Sequence, residues 1–280
     1  ANGESIGIFQ FESQGMTNFM KELKPDCLED IIAGVSLYRP GPMDQIPRYI
    51  ANKKDPDHAV YTHPSLKPIL KVTYGCMVYQ EQVMQIVRDL AGYSLGRADL
   101  VRRAMGKKKL DVMAKERENF VHGKLDENGN VEIQGCVRNG IDEVSANKIF
   151  DEMAEFAKYA FNKSHAACYA VVAYRTAYLK AYYPAEFMAA MLNSFLGNLD
   201  KVPIYINECK RLNIDILKPE INKSFTKFTV EGNSIRFGMG SIKNVGLVAI
   251  ENIVRERNEN GEFKDFTDFC ERIYGESVNK

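Results

Sequence analysis

The sequence predicts a mainly α-helical fold with small β-hairpin insertions. Through most of the 280 residues, apolar side chains recur at the i, i+3, i+4 and i+7 spacing of amphipathic helices. Glycines and prolines interrupt this pattern where helices of ordinary length would end. Short β-prone pieces gather instead in two stretches, 124–144 and 225–237, and each of these is expected to contain a hairpin.

The first predicted helix with a clear start begins near residue 26. Asp26 has the residue type of an N-cap, and Glu29 follows at the spacing of a capping box. This helix should end at the rigid corner Arg39-Pro40-Gly41-Pro42. The polar, proline-containing stretch 52–68 is expected to form loops.

Three helices are predicted in the middle of the chain. The first spans Gln80–Ala91 and stops at Gly92, which suits a left-handed conformation. The second ends at Gly106, and the third runs from about Leu110 to His122.

Helices resume after residue 144 and break at the polar segment 161–165. Another helix should begin at Pro184, because proline suits the first helical turn. Tyr174, Tyr178 and Tyr182 recur every four residues and are interpreted as packing, with base stacking as the alternative.

The character of the chain changes near residue 200, which predicts a domain of residues 1–200 and a second of residues 201–280. In the second, Glu231-Gly232-Asn233 joins two β-prone segments as a hairpin turn does. Residues 242–246 then precede another helical pattern.

The composition is that of an ordinary globular protein. Lysine plus arginine and aspartate plus glutamate number 37 each, so the formal net charge is zero. This balance does not exclude nucleic acid as a partner, because local concentration of charge decides such binding. No apolar run has the length of a membrane span, and the six scattered cysteines have no zinc-binding spacing. The absence of an initial methionine is expected for a region of a longer chain.

Residues 97–109 form a basic patch in which one aspartate accompanies three arginines and three lysines. On a helix, the side chains of Arg102 and Arg103 point in directions about 100° apart. One arginine can therefore support the structure while the other points into a groove. Arginine suits phosphate because its fork donates two parallel hydrogen bonds. A phosphate-binding surface and a solvated helix face both remain open.

Two further segments could bind phosphate. Lys163, Ser164 and His165 stand at the expected start of a helix, where free N–H groups and the helix dipole favour an anion, although a polar loop is the plainer alternative. Residues 242–246 resemble the h-x-G-h-G turn of a helix-hairpin-helix, with Asn244 in place of the first glycine. An ordinary helical hairpin is the alternative there.

One D-x-D pair, Asp55 and Asp57, is present, and its proline and polar neighbours indicate a surface turn rather than a metal site.

Taken together, several segments resemble bacterial DNA polymerase III α subunits, the C-family replicative polymerases. The segments that carry the resemblance are 8–16 (IFQFESQGM), 37–43 (LYRPGPM), 79–84 (YQEQVM), 92–96 (GYSLG), 102–108 (RRAMGKK), 161–167 (FNKSHAA), 183–187 (YPAEF) and the turn 242–246. They occur in the family's order and cover nearly the whole chain.

The resemblance implies a multi-helix fingers domain with a C-terminal helix-hairpin-helix element. The nucleotide-binding residues that it implies most strongly are Arg102, Arg103, Tyr159, Lys163, Ser164 and His165. Less strongly supported members, at the edge of the pocket, are Gln10, Glu12 and Arg39. DNA-binding residues are expected to be Lys107, Lys108, Lys109, Lys243, Asn244 and Gly246. Two departures from the family are the long 124–144 insert and Asn244 itself.

The family's activity is template-directed nucleotidyl transfer. The resemblance implies two Mg²⁺ ions held by palm aspartates outside this chain, so the region alone is expected to be inactive. The implied partners are primer–template DNA, a dNTP and, through other regions, holoenzyme subunits such as the sliding clamp. No membrane association is expected, and the implied location is the bacterial cytoplasm at the nucleoid. The alternative is a non-enzymatic DNA-binding module that uses the basic helix and the hairpin.

Overall fold

The computed structural model describes residues 3–107, 110–157, 159–198 and 200–275, with the backbone alone at residue 110. These residues are mainly helical, which confirms the predicted fold class. The chain divides into two compact units, and the division falls inside a long helix. Residues 1–4 and 13–174 form the first unit, and residues 5–12 and 175–280 form the second. The predicted boundary after residue 200 stays a prediction about functional subdomains.

The helices are α1 (Gln14–Leu23), α2 (Leu28–Leu37), α3 (Ile46–Lys54), α4 (Lys67–Leu70), α5 (Gln80–Ala91), α6 (Leu95–Gly106), α7 (Leu110–His122), α8 (Glu143–Phe156), α9 (Lys163–Tyr182), α10 (Pro184–Ser194), α11 (Val202–Arg211), α12 (Leu247–Asn260) and α13 (Phe266–Ile273). The strands are β1 (Lys124–Leu125), β2 (Val131–Ile133), β3 (Asp215–Leu217), β4 (Thr229–Glu231) and β5 (Ser234–Arg236). Within the described residues, no helix has the length and apolar character needed to cross a membrane.

The core of the first unit surrounds α5, whose apolar stripe is completely buried at Val83, Ile86 and Val87. The rings of Phe120 on α7 and Phe150 on α8 pack in the same core with centroids 5.7 Å apart. The bounds of α5 and α7 and the end of α6 are those that the sequence predicts. Gly92 closes α5 at φ 74°, as its residue type indicates.

The second unit packs α10 and α11 against a small mixed sheet of order β3-β5-β4. The antiparallel hairpin of β4 and β5 confirms the prediction. The parallel pairing of β3 with β5 has no counterpart in the sequence analysis, because a three-residue strand carries too short an alternation to be recognised. The expected insertion hairpin of the first unit is confined to β1 and β2, and α8 already begins at Glu143.

Two expectations about local structure are wrong. The N-cap of α2 is Cys27 and makes no side-chain cap, so Asp26 is not the cap. Instead, the Asp26 N–H donates to Oδ2 of Asp30 at 3.2 Å. Tyr178 and Tyr182 are 44% and 68% exposed in this chain, so they are not core packing residues, although their rings contact each other at 4.5 Å.

A buried ion pair joins α2 to α3 in the first unit. The Asp30 side chain is 1% exposed and bonds the Lys53 ammonium, whose side chain is 10% exposed. Tyr74 donates a further hydrogen bond to Asp30 at 3.3 Å. Burial alone would raise the pKa of Asp30, but the hydrogen bonds from Lys53 and the Asp26 N–H outweigh it and hold this pKa below its usual range.

We therefore expect Asp30→Asn to lower the free energy of unfolding by about 3 kcal/mol near neutral pH, because it leaves the Lys53 charge buried. Since the folded pKa of Asp30 is depressed, its contribution is present above the unfolded pKa of about 4 and is lost as pH falls through the folded value. Urea unfolding of the 280-residue chain at pH 7 and at pH 3 measures both effects. Asp26→Asn is the matched control, because its carboxylate contacts the same lysine at 3.2 Å but is 77% exposed. An equal loss in both variants would contradict this account.

Candidate functional site

The start of α5 holds the backbone segment 160–162 in place. Gln80 donates its N–H to the Phe161 carbonyl and its Nε2 to the Ala160 carbonyl, both at 2.9 Å. Tyr79 and Phe161 also form an isolated parallel bridge. The Gln82 side chain fixes the turn before α5 by accepting the Tyr79 N–H at 3.0 Å. As a result, α9 begins directly beside the N-terminus of α5.

Glu81 and Asn162 complete this junction of the two helix starts. Both carboxylate oxygens of Glu81 lie 3.1 Å from the Lys163 nitrogen, and one accepts the Asn162 side chain at 2.9 Å. Asn162 in turn accepts the Ser164 hydroxyl at 2.6 Å and the His165 N–H at 2.9 Å. The sequence predicts free N–H groups at this helix start, and the structure corrects this at Lys163 and His165, whose N–H groups both have acceptors.

The adjacent arginines of α6 share one carboxylate. Asp99 accepts Nη2 of Arg102 at 2.7 Å and Nε of Arg103 at 2.8 Å. The hydrogen bonds from Arg102, together with the Arg103 charge, hold the pKa of Asp99 below its usual range. Arg102 is 21% exposed and reaches Oε1 of Gln80 at 3.2 Å, whereas Arg103 is 63% exposed. The two side chains therefore diverge, with Arg102 anchored in the junction and Arg103 projecting outward.

Arg39, which follows the end of α2, supports the same segment. Its Nη2 donates to the Tyr159 carbonyl at 2.6 Å, and its guanidinium lies 4.0 Å from the centre of the Phe161 ring. Burial lowers the pKa of Arg39 from its usual value. The Tyr159 ring packs directly on Gly41 (φ 99°), where an added Cβ would lie 2.3 Å from the ring. Only glycine fits beside Tyr159 at this position.

The side chains at the start of α9 have partners of their own. Lys163 Nζ lies 3.0 Å from Glu29 and 5.2 Å from the centre of the Tyr79 ring. The His165 ring is exposed and packs between Phe161 and Tyr169, with centroid distances of 5.2 Å and 4.5 Å. Lys163 thus already faces a carboxylate and an aromatic ring, and His165 faces two aromatic rings.

The structure brings most of the predicted nucleotide-binding residues to one junction in the first unit: Arg39, Arg102, Tyr159, Lys163, Ser164 and His165, with Arg103 joined through Asp99. Gln10 and Glu12 belong to the second unit. There, Glu12 accepts the Gly7 N–H at 2.7 Å and the Tyr205 hydroxyl at 3.0 Å. Gln10 is exposed with a left-handed φ of 67°.

Of the predicted DNA-binding lysines, Lys107 is exposed after α6, and Lys108 and Lys109 lie outside the described residues. Lys243, Asn244 and Gly246 form an exposed turn between a short 3₁₀ helix and α12. Asn244 has φ 66°, a left-handed conformation that asparagine tolerates better than other non-glycine residues, and Gly246 is the N-cap of α12. The turn thus offers backbone N–H groups at the start of a helix, as a phosphate-binding hairpin does.

Three residues of the junction, Gln80, Glu81 and Asp99, were missed as site residues by the sequence analysis. Asp99 stands three and four residues before the two arginines, so helical spacing could have found it. Gln80 and Glu81 occupy the first turn of a helix, where polar and acidic residues are common for local reasons. Their contacts to residues 160–163 depend on the tertiary fold.

The described acidic residues do not offer a site suited to a pair of Mg²⁺ ions. One group, Asp26, Cys27 and Asp30, has ligand atoms close together, but the Lys53 ammonium lies among them. Asp55 and Asp57 lie in an exposed turn, as predicted, and Asp55 contacts His58 at 2.7 Å.

A helical unit with arginines, a lysine and a histidine at one junction, joined in sequence to a unit with an exposed hairpin turn, has two candidate phosphate-binding elements.

Comparison with known proteins identifies the family. Residues 1–128 match the family model described as the bacterial DNA polymerase III alpha subunit finger domain, and residues 213–280 match a helix-hairpin-helix motif. The DNA polymerase III subunit alpha of Xylella fastidiosa is 49% identical over 281 residues, covering 100% of this chain and 22% of that protein. The subunits of Thermus aquaticus and Borreliella burgdorferi are 48% and 46% identical, covering 100% and 99% of this chain and 22% and 23% of those proteins.

The chain belongs to the bacterial DNA polymerase III α-subunit family and is its finger region. It spans less than a quarter of the length of these relatives. The alternative of a stand-alone DNA-binding module is not favoured, because these relatives are all polymerase subunits.

The left-handed Asn244 allows a direct test of the hairpin turn. We expect Asn244→Gly to keep or slightly raise the melting temperature, and Asn244→Val to cost about 1–2 kcal/mol, because a β-branched residue is strained at positive φ. Thermal unfolding of the 280-residue chain measures this. Lys243→Val is the control, since it places the same side chain next to Asn244 without a positive φ. Equal tolerance of valine and glycine at position 244 would remove the basis for this turn.

Proposed function

We propose that the chain works as the finger region of a replicative DNA-directed DNA polymerase. In that protein it binds the triphosphate of the incoming dNTP and the primer–template DNA. The observation that carries this proposal is the junction of α5, α6 and α9. It gathers Arg102, Lys163 and His165 through the hydrogen bonds of Gln80 and Glu81.

The junction suits a polyphosphate for electrostatic reasons. Two helix N-termini point toward the same small region, and each contributes a partial positive charge. Arg102, Arg103 and Lys163 add three full positive charges around it. Arg103 is the most exposed of the three, so it is the side chain best placed to leave Asp99 and contact a phosphate.

In the proposed reaction, a primer 3′-hydroxyl attacks the α-phosphate of the dNTP and pyrophosphate leaves. Negative charge builds on the β- and γ-phosphates as the bond breaks, and preorganised cations stabilise that charge. Arg102 and Arg103 would supply this stabilisation, and Lys163, Ser164 and His165 would hold the nucleotide in line. Tyr159 and Arg39 would form the wall of the site, and the roles that the resemblance implies for Gln10 and Glu12 stay predictions.

The metal ions of this proposal belong elsewhere in the parent protein. We assign the metal ligands to palm aspartates outside this chain, as the resemblance to the polymerase family implies. The region alone would then incorporate no nucleotide. The contacts proposed with the sliding clamp and other holoenzyme subunits also lie outside this region. The proposed location of the parent enzyme is the nucleoid.

DNA binding is assigned to two surfaces, one in each unit. Lys107, with Lys108 and Lys109 after it in sequence, would contact backbone phosphates near the nucleotide site. Lys243, Asn244 and Gly246 would contact phosphates through the exposed hairpin turn. Phosphate contacts position the duplex and carry no base information, as a replicative enzyme requires.

The nucleotide site is tested by arginine substitution in a full-length α subunit that carries this region. We expect Arg103→Ala to raise the KM for dNTP and lower kcat together, at a cost of about 1.5–3 kcal/mol in kcat/KM, because a charged donor to phosphate is lost. Arg102→Ala should act in the same direction. Single-nucleotide incorporation at varied dNTP concentration measures both.

Arg88→Ala is the matched control, because Arg88 on α5 is likewise paired with a neighbouring aspartate, at 2.7 Å, and is 49% exposed. It should leave the kinetics unchanged. If the Arg102 and Arg103 variants both behave like the wild type, the assignment of the site is wrong.

A further inference from the structure

Glu81 occupies the position at the start of α9 where an anion would bind. Its two oxygens contact the Lys163 N–H at 3.1 Å each, and Asn162 Nδ2 donates to one of them at 2.9 Å. A carboxylate and a phosphate group present the same kind of oxygen acceptor to such donors. Glu81 therefore lies where a phosphate group bound at this helix start would lie.

Glu81 also belongs to the first turn of α5. One carboxylate thus lies at two helix N-termini, whose partial positive charges it neutralises together. The neighbouring cations are also paired with carboxylates, Lys163 Nζ with Glu29 and the two arginines with the single carboxylate of Asp99. A triphosphate that binds here must compete with these internal carboxylates.

Glu81 differs from Glu29 and Asp99 in the kind of donor that it contacts. Arg103 and Lys163 Nζ end flexible side chains, so they can turn from their carboxylates toward a ligand. The Lys163 N–H is part of the helix backbone and cannot turn away. The exchange of carboxylate for phosphate at this donor therefore requires that Glu81 itself move.

We propose that Glu81 sets the affinity of this site for polyphosphate, as an internal carboxylate that occupies the start of α9 and is displaced when the triphosphate binds. This inference rests on the proposed nucleotide-binding function of the junction. Its consequence is that removing the charge of Glu81 strengthens binding, whereas removing a residue that merely supports the fold would weaken it.

Glu81→Gln is the informative substitution, because glutamine keeps an oxygen that can accept the Lys163 N–H while it removes the negative charge. A unit charge about 4 Å from a phosphate in a water-like medium costs about 1 kcal/mol, which corresponds to about fivefold in affinity. We therefore expect Glu81→Gln to bind inorganic tripolyphosphate about fivefold more tightly than the wild type.

The measurement is titration calorimetry with tripolyphosphate, without DNA, on a full-length α subunit that carries this region. Glu127→Gln makes the same chemical change on the exposed turn between β1 and β2 and should leave the affinity unchanged. Arg103→Ala should weaken binding in the wild-type background. Thermal unfolding of each variant shows that it is folded.

The outcomes separate the two proposals. If Arg103→Ala leaves tripolyphosphate binding unchanged, the proposed nucleotide site fails. If Arg103→Ala weakens binding but folded Glu81→Gln binds as the wild type does, or more weakly, the role of Glu81 fails alone. Should Glu81→Gln unfold, Glu81→Asp decides instead, because it keeps the charge but withdraws the carboxylate by one methylene. A gain in affinity supports the inference, and its absence overturns it.

Discussion

The hydrogen bonds between Gln80 and the backbone at residues 160 and 161 are the constraint on which the candidate site depends. They fix where α9 begins, because the chain enters this helix directly after Phe161. They also bring the N-termini of two helices together, an arrangement that is unfavourable unless an anion lies between them. Glu81 supplies that anion. Through its remaining acceptor, Gln80 connects Arg102 on α6 to the same place, so one side chain joins all three helices.

The charges of the site are balanced locally in the same way as in the whole chain. Lysines and arginines equal aspartates and glutamates over the 280 residues. At the junction, Asp99 faces two arginines, Glu29 faces Lys163, and Glu81 faces the helix ends. Partly exposed pairs of this kind add little to stability. A ligand with several negative charges can replace several carboxylates at once. The affinity for such a ligand then depends on where its charges lie relative to the cations of the junction, and not on the net charge of the chain.

The sequence predicts the helices better than it predicts their contacts. Apolar periodicity and glycine stops predict the bounds of α5 and α7 and the end of α6, because local spacing determines which face of a helix is buried. The left-handed Asn244 was predictable for a similar reason, since few residue types adopt that conformation. The N-cap of α2 could not be predicted in this way, because Asp30 is held by Lys53, which is 23 residues away. Likewise, Gln80 and Glu81 reach residues about 80 positions later, and no local pattern in the sequence records such contacts.

The most direct test of the junction is a double-mutant cycle between Gln80 and Arg102 in a full-length α subunit, with kcat/KM for dNTP incorporation as the measured quantity. If Gln80 holds Arg102 in place, the effects of Gln80→Ala and Arg102→Ala will be non-additive, with a coupling free energy of about 0.5 kcal/mol or more. Gln85→Ala, on the same helix, should add independently to Arg102→Ala. Additivity of the Gln80 pair within about 0.3 kcal/mol would contradict the claim that this hydrogen-bonded junction organises the site.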